Sequence, residues 1–284
     1  MSNHAARVNL RTSRTFRPEQ ARQPARFTCC ERHLCATMVA TNAKGCDMQQ
    51  QTPQLKAIEQ VSEGWINKYV LTYTLPDGTD YQYEAVSRKG LAEYRAELER
   101  LRERSNKAVA AIDAGAQDFG ASALEEAEGV ANLREKRVAD AVSIVPVTRR
   151  NELVLIREFR YPLNSWVIGL PAGLVEPGES YADAVDRELR EETGYRLRSD
   201  IPKPAAIEPL PQSGRSSTGM SDESVLTVFA QVEPDEAQHT ERGELIEVFT
   251  LHLRDVQRFL KQNQLPMGTR LQLVLEMFAR STDF

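Results

Sequence analysis

Residues 173–195 read GLVEPGESYADAVDRELREETGY and carry the strongest structural signal in the chain. Glu188, Glu191 and Glu192 stand at positions i, i+3 and i+4, so a helix brings their carboxylates together at one edge. Three clustered carboxylates repel one another unless a cation lies among them. Because carboxylate oxygens are hard ligands, we expect that cation to be Mg²⁺ or Mn²⁺, in a site that serves a phosphate-bearing substrate.

The residues around these glutamates predict a helix with defined ends. Ser180 is a suitable N-cap with Asp183 three residues further on, and Gly194 is a suitable C-terminal stop. Apolar side chains recur at helical spacing on the opposite face, at Ala182, Val185 and Leu189. The alternative is a solvated surface helix that carries i,i+4 ion pairs such as Asp183–Arg187. The complete set of fixed glycines, glutamates and arginine favours the metal site.

This segment resembles the signature of the Nudix hydrolases at every polar and glycine position, with Tyr195 in a final slot that is usually aliphatic. The resemblance implies an α/β/α sandwich and metal-dependent cleavage of a nucleoside diphosphate linked to another group. Elsewhere, strands and helices mix without a strict βαβ repeat, which suits an α+β sandwich rather than a doubly wound sheet.

Length and charge narrow the possible functions. A chain of 284 residues can bury one good core and a small accessory domain. The net charge is −5 at pH 7, so a phosphate substrate needs the metal and local arginines to offset repulsion. We expect neither nucleic acid nor membrane as a partner, since no run approaches the apolar length of a membrane-spanning helix.

Residues 1–50 are predicted to be a disordered or wrongly assigned N-terminal extension. The first 37 residues hold seven arginines and two acidic residues, a composition that is disordered-like and also mildly resembles a transit peptide. A third possibility is that Met38 or Met48 is the natural start. We favour disorder or a mis-set start over targeting.

All four cysteines lie in this extension, at Cys29, Cys30, Cys35 and Cys46. A secreted fold held by disulfides would spread its cysteines through the core, so we expect a reducing, cytoplasmic setting. The cluster that includes His33 fits no usual zinc-ligand spacing, and incidental cysteines are the favoured interpretation.

The rest of the chain divides into three predicted segments. Residues 51–90 form a small N-terminal β-domain, with a hairpin over residues 65–87 that turns at Asp77-Gly78. Residues 91–137 form a helical insertion, strongly helical over 91–114 and weaker over 123–136. Residues 138–284 form the Nudix hydrolase domain. Its predicted strands are 140–147, 152–159, 166–170, 205–210, 223–232 and 244–251, and its closing helices are 255–261 and 268–280.

Motifs outside the helix resemble the ADP-ribose pyrophosphatase branch of the family. They are REFRYP at residues 157–162, LPAGLVEPGE at 170–179, and SEGW with YEAVSR in the hairpin segment. The branch is made of homodimers in which the small β-domain packs across the dimer and helps to form the partner's site. The resemblance therefore implies a homodimer that acts on a nucleoside diphosphate sugar.

The resemblance also assigns the metal and proton-transfer roles. It implies that Arg187 orients the glutamates by ion pairing, with Glu179 nearby. Glu191 is implied as metal ligand or base, and Glu244 falls where the branch places a loop glutamate that activates water. The implied metal ligands are the Ala172 carbonyl, Glu188 and Glu192. Glu191 is a further metal ligand if it does not act as the base.

Four further positions match substrate contacts. Trp65 and Tyr83 match rings that stack on the base, while Arg88 and Arg160 match positions that grip the diphosphate or ribose. Each has a simpler alternative: the two rings could pack in the hairpin core, and Arg160 could form a surface ion pair. Phosphate binding is favoured for Arg160 because a bidentate donor suits it. Glu244 could equally be an ordinary residue at the start of a strand.

Two positions depart from the branch. Gly169 stands where the branch often has an acidic residue, so one polar contact to substrate or to metal-bound water is expected to be missing. The loop at residues 211–221 best matches the usual Pro-Gly pair at Thr218-Gly219-Met220-Ser221. That loop would touch the terminal sugar, so the choice between ADP-ribose and a related substrate stays open.

The predicted reaction is hydrolysis of ADP-ribose, or of a related nucleoside diphosphate sugar, to a nucleoside monophosphate and a sugar phosphate. Either Glu244 or Glu191 would accept a proton from the attacking water. The alternative is a Nudix-fold sensor that binds nucleotide sugars without cleaving them. Such proteins typically lose glutamates of the signature, and all three are present here.

Overall fold

The computed structural model describes residues 52–115, 139–236, 238–240 and 242–280. All of these belong to one compact unit, Met48–Phe284. The four cysteines and the weaker helix predicted over residues 123–136 lie outside the described residues.

An antiparallel three-stranded sheet comes first, made of β1 (Gln54–Ser62), β2 (Asn67–Thr74) and β3 (Asp80–Ser87). The predicted hairpin is confirmed as β2 and β3, which turn at Gly78 with a φ of 83° that glycine adopts without strain. The first strand was not predicted from the sequence. Its side chains are mostly exposed, so it lacks the clear alternation that marks a half-buried strand.

The helix predicted over residues 91–114 is confirmed as α1 (Leu91–Asp113). Tyr94 is buried against the three-stranded sheet, with its ring centroid 4.6 Å from that of Tyr69. Leu98 packs on the same small core, while Leu91 at the helix start is exposed. Tyr94 and Leu98 thus dock the first turns of the helix on the sheet.

A nine-stranded mixed sheet forms the centre of the larger part. Its central order is β10-β11-β4-β5-β12, with β4 and β11 parallel and the other pairs antiparallel. The six strands predicted after residue 138 are present, whereas β7, β8 and β10 were missed because runs of two or three residues carry no periodic signal. The strands are β4 (Ala141–Thr148), β5 (Glu152–Arg160), β6 (Ser165–Gly169), β7 (Ala172–Leu174), β8 (Tyr195–Leu197), β9 (Ile207–Pro209), β10 (Gly214–Arg215), β11 (Ser224–Pro234) and β12 (Ile246–His252).

Helices cover both faces of this sheet and complete the predicted α/β/α sandwich. They are α2 (Tyr181–Thr193), α3 (Val256–Gln262) and α4 (Thr269–Arg280). On one face Val185 and Leu189 of α2 pack on alternate residues of β4, such as Ile144. On the other face α3 and α4 pack on Val145 and Leu155. Of the helices in the described ranges, none has the length and hydropathy that crossing a bilayer requires.

Both predicted ends of α2 are present. The Ser180 hydroxyl accepts a hydrogen bond from the Asp183 backbone N–H at 3.2 Å, and Gly194 takes the left-handed conformation with a φ of 68°. Asp183 forms its ion pair with Lys203, at 3.0 Å. Arg187 turns instead toward the start of the signature, which the surface-helix alternative did not anticipate.

The three-stranded sheet is joined to the larger sheet through the loop at residues 218–222. The Val86 N–H donates to the Met220 carbonyl at 2.9 Å, and the Tyr83 hydroxyl donates to the Gly219 carbonyl at 2.5 Å. A half-buried Lys89 lies 2.9 Å from Asp140 and 3.0 Å from Asp222. These contacts fix the small sheet beside the loop that links β10 to β11.

Candidate active site

The backbone of β7 fixes the position of Glu188. A Cβ atom built on Gly173 would lie 1.9 Å from the Glu188 carboxyl carbon, far inside van der Waals contact. The carboxylate therefore occupies the space that any side chain at this strand position would need. Glycine is required here for close approach rather than for backbone freedom.

The neighbouring residue of β7 holds a second glutamate. The Ala172 backbone N–H donates to Glu192 Oε2 at 3.0 Å. Both Glu188 and Glu192 are buried, although they lie on a helix of otherwise mixed exposure. One short strand and one turn of α2 thus bring two carboxylates together in a site largely removed from water.

Arg187 forms hydrogen bonds to several of the carboxylates in this site. Its Nε and Nη2 donate to the two oxygens of Glu179, each at 3.0 Å. Its Nη1 lies 2.6 Å from Glu188 Oε1 and 3.1 Å from Glu191 Oε2, and Nη2 also donates to the Leu174 carbonyl at 2.9 Å. Such a fork of charge-assisted hydrogen bonds leaves the bound carboxylates little freedom.

The electrostatics separate the glutamates into two groups. Arg187 hydrogen bonds hold the pKa of Glu179 below its ordinary value. Burial raises the pKa of Glu188. Burial, together with the charges of Glu188, Glu158 and Glu244, raises the pKa of Glu192 to about 8. A proton on Glu192 is thus favoured as long as no cation is present to stabilise its charge.

Glu244 lies two residues before β12, in a loop that faces the same carboxylates. The Tyr161 hydroxyl donates to the Gly243 carbonyl at 2.9 Å, and the Phe159 N–H donates to the Leu245 carbonyl at 3.0 Å. The Glu244 charge contributes to the raised pKa of Glu158, Glu188 and Glu192. The structure therefore brings the predicted loop glutamate to the signature helix, although the two are far apart in sequence.

The donor set fits a hard divalent cation. Within the described ranges, no three acidic, histidine or cysteine side chains converge on one point as they stand. However, Glu188 and Glu192 are buried carboxylates beside the backbone of Ala172, and carboxylate and carbonyl oxygens are the ligands that Mg²⁺ and Mn²⁺ take. The raised pKa of both groups indicates negative charge that a cation would stabilise.

The predicted substrate contacts occupy three separate places. Arg160 lies 2.6 Å from Glu158, on the side of the sheet that carries α2. Arg88 forms an ion pair with Glu223 and lies over the Trp65 ring, 5.8 Å from its centroid. Tyr83 lines a different cavity of about 360 Å³, together with other aromatic side chains of the small sheet and α1.

Arg88 is the predicted contact that shares a cleft with the signature loop. The cleft has a volume of about 620 Å³ and lies between the small sheet and the residues that follow β7. Its walls include Arg88, Leu174, Val175, Pro177 and Ser217. Trp65 is 73% exposed and Tyr83 is 39% exposed, so neither ring is buried in the hairpin core.

Two residues near the site were not singled out from the sequence. Glu158 belongs to the REFRYP motif and lies beside Arg160, and Tyr161 of the same motif anchors the Glu244 loop. Glu158 and Arg160 are two residues apart, so they lie on one face of β5. This spacing could have indicated from the sequence that Glu158 lies near the site. No local signal could have shown which loop Tyr161 contacts.

Comparison with known proteins shows which families and structures this chain resembles. The NUDIX domain model matches residues 137–270, and the resemblance drawn from the sequence is confirmed. An ADP-sugar pyrophosphatase of Mus musculus is 33% identical over 133 residues, which are 43% of this chain and 57% of the mouse protein. The match thus spans little more than half of that relative.

Two further similarities point the same way. An ADP-ribose pyrophosphatase of Bacillus subtilis (strain 168) is 28% identical over 144 residues, 50% of this chain and 74% of that protein. A crystal structure of an ADP compounds hydrolase superposes with a TM-score of 0.52 over 81% of this chain and 93% of that chain. Its sequence identity is 18%, so it shows the common fold.

The Gly173→Ala variant tests the close approach of β7 to Glu188. We expect it to lower the free energy of unfolding by about 1–3 kcal/mol, because the added Cβ must displace either the strand or the carboxylate. Thermal unfolding followed by circular dichroism measures the effect. Gly268→Ala is the control, since a Cβ there meets no atom within 4 Å. Equal melting temperatures of Gly173→Ala and the parent protein would show that the glycine is not needed.

The stability of the metal-free protein tests the environment of Glu192. Its folded-state pKa of about 8 lies above its ordinary value of 4.5, so the folded state binds the proton more tightly than the unfolded state. This contribution to stability is complete below about pH 4.5 and is lost as pH rises through 8. Relative to that of Glu192→Gln, the free energy of unfolding of the parent protein should fall by up to about 1.4 kcal/mol per pH unit in this range.

Urea unfolding in the presence of a chelator, from pH 5 to pH 9, measures this difference. Glu208→Gln, which changes an exposed glutamate of β9, serves as the matched control. If the free energy of unfolding depended on pH in the same way in the parent protein and in Glu192→Gln, this would contradict a Glu192 carboxyl group whose pKa is raised by burial and by neighbouring charges.

Proposed function

We propose that the protein hydrolyses the diphosphate bond of ADP-ribose or a related nucleoside diphosphate sugar, with Mg²⁺ or Mn²⁺ as cofactor. The products would be a nucleoside monophosphate and a sugar phosphate. The proposal is carried by the pair of buried carboxylates, Glu188 and Glu192, which the backbone of β7 and Arg187 hold together. Support also comes from curated relatives that are named ADP-sugar and ADP-ribose pyrophosphatases.

Glu188, Glu192 and the Ala172 carbonyl would hold the metal, and Glu191 would be a further ligand or a base. A divalent cation bound there supplies positive charge to the diphosphate and lowers the pKa of a water molecule. The task of Arg187 is to keep Glu188 and Glu191 in place, since its Nη1 lies within hydrogen-bond distance of both. Ligands that are already in position when the substrate binds need not rearrange during the reaction, and this contributes to the rate.

Glu244 or Glu191 would accept the proton of the attacking water. The position of Glu244 supports its role, because hydrogen bonds from Tyr161 and Phe159 anchor the residues on either side of it and its charge acts on the signature carboxylates. Glu191 is hydrogen-bonded by Arg187 at 3.1 Å, which suits a ligand or orienting role as well as a base. The attack then breaks the bond between a phosphorus atom and the bridging oxygen of the diphosphate.

Arginines would bind the charged part of the substrate and aromatic rings the base. Arg160 is more than half exposed beside Glu158, so its free N–H groups can donate to phosphoryl oxygens in the ground state and the transition state. Arg88 would grip the diphosphate or ribose from the cleft beside Leu174. Trp65 and Tyr83 would stack on the base.

We also propose that the active protein is a homodimer. Val61 of β1, and Trp65 and Ile66 in the turn between β1 and β2, are each more than half exposed. Grouped apolar side chains of this kind are typical of an interaction surface. A second copy that covers this sheet would bring the base-stacking rings next to the partner's site.

A substrate panel tests the proposed reaction. The panel contains ADP-ribose, ADP-glucose, UDP-glucose, GDP-mannose, NADH and diadenosine polyphosphates, each in Mg²⁺ and in Mn²⁺, with a phosphatase that releases phosphate from monoester products. We expect turnover of a nucleoside diphosphate sugar that requires the metal. Binding of a nucleotide sugar without turnover, in either metal, would instead indicate a sensor.

Glu192→Gln tests the metal ligand directly. We expect kcat to fall by roughly 100-fold or more, because the amide removes charge from the site that stabilises the transition state. An unchanged circular dichroism spectrum shows that the fold is intact, and Glu208→Gln is the control for loss of a glutamate elsewhere. Near-normal turnover by Glu192→Gln would refute its assignment as a ligand.

A further inference from the structure

We propose that Glu158 is a positioning residue of this site, whose carboxylate orients the Arg160 guanidinium from the space that Gly169 leaves open. The inference rests on the proposed function only for the task of Arg160 in binding the diphosphate. The placement of Arg160 by Glu158 is independent of the reaction and can be tested without it.

The strand geometry sets the two residues side by side. In β5, Val154, Glu158 and Arg160 are separated by even numbers of residues, so their side chains leave the same face of the sheet. Val154 belongs to the core beneath α2, which identifies this face as the one that carries the signature glutamates. Glu158 and Arg160 therefore extend the row of core residues into the active site.

The contact between them is short and partly desolvated. Arg160 Nη2 lies 2.6 Å from Glu158 Oε1, while the side chains are 54% and 13% exposed. Exposed ion pairs contribute little because water competes for both partners. Here the carboxylate is largely withdrawn from water, so a guanidinium is its natural partner, and the remaining N–H groups of Arg160 stay available to a ligand.

The carboxylate oxygen that contacts Arg160 also lies close to a glycine on the neighbouring strand. A Cβ atom on Gly169 would lie 3.3 Å from Glu158 Oε1, which is a tight contact. In the pairing of β5 with β6, Gly169 lies opposite Ile156 and Glu158 lies opposite Val167, so the glycine is diagonally across from the glutamate. The missing side chain at 169 thus makes room for the carboxylate that holds Arg160.

The charge of Glu158 also reaches the signature helix. It contributes to the raised pKa of Glu192, and the Glu244 charge acts on Glu158 in turn. Glu158 therefore lies among the carboxylates of the site rather than on the outer surface of the sheet. An arginine fixed at this point stands next to the place where the diphosphate must bind.

Two kinds of variant separate charge from shape. Glu158→Gln keeps the size of the side chain and removes the charge that Arg160 pairs with. The double variant Glu158→Ala/Gly169→Asp returns a carboxylate from the neighbouring strand β6. A Cβ at position 169 borders the place of the Glu158 carboxylate, and the aspartate carboxyl group is one bond from that Cβ. Glu158→Ala with Gly169→Asn is its neutral match.

Glu247→Gln is the control for loss of an ion pair. Glu247 of β12 pairs with Arg157, which lies on the opposite face of β5. This variant removes a neighbouring ion pair while leaving Arg160 and its partner untouched.

Nitrogen-15 NMR of the arginine Nε–Hε groups gives a readout that does not need turnover. The Arg160 signal is assigned by its loss in Arg160→Lys. We expect an ordered Arg160 side chain in the parent protein and in Glu247→Gln, and increased motion in Glu158→Gln. The double variant with Gly169→Asp should order the side chain again, whereas its neutral match with Gly169→Asn should not.

Kinetics on the preferred nucleotide sugar give the second readout. We expect kcat/KM to fall by roughly ten-fold or more in Glu158→Gln, because a displaced arginine no longer meets the diphosphate in a productive geometry. Partial recovery should follow Gly169→Asp in the Glu158→Ala background, but not Gly169→Asn.

The outcomes distinguish this inference from the proposed function. Unchanged Arg160 motion in Glu158→Gln would overturn it, even if activity were lost. A lower melting temperature with unchanged motion and kinetics would also overturn it, since the carboxylate would then be structural alone. Altered Arg160 motion in a protein that cleaves no nucleotide sugar would support the inference and refute the proposed function.

Discussion

The repulsion between carboxylates packed into one buried site is the constraint on which the rest of the structure depends. Glu188 and Glu192 are buried at the edge of α2, with Glu158 and Glu244 close enough to add to their repulsion. Arg187 offsets part of this charge through Glu188 and Glu191. The remainder is what a divalent cation would stabilise, so the arrangement that costs most without a cation is also the one on which the proposed chemistry depends.

The surrounding fold holds these mutually repelling carboxylates in place. The core under α2 fixes the helix on the central sheet, and β7 approaches it so closely that position 173 has no room for a side chain. The strand β5 brings Arg160 to the same face, and the loop before β12 adds Glu244 through the hydrogen bond from Tyr161. Elements distant in sequence thus meet at one end of α2, where the substrate's diphosphate is proposed to bind.

Sequence reasoning succeeded where the signal was local. The extent of α2 and its Ser180 and Gly194 ends follow from spacing within one segment. It failed for β7, which is three residues long and exists because it pairs with β4. It gave Glu158 no role, because the importance of that residue depends on its contact with Arg160 and on the space left by Gly169, diagonally across on β6. Such contacts between strands cannot be obtained from periodicity in a single chain segment.

Calorimetric titration of the metal-free protein with Mn²⁺ at pH 7, in two buffers of different ionisation enthalpy, tests the central claim most directly. A pKa of about 8 for Glu192 means that this carboxyl group is largely protonated before the metal binds. The account predicts binding that releases about one proton, with markedly weaker binding in Glu188→Gln and in Glu192→Gln. Mn²⁺ binding without proton release, and with equal affinity in both variants, would contradict the account.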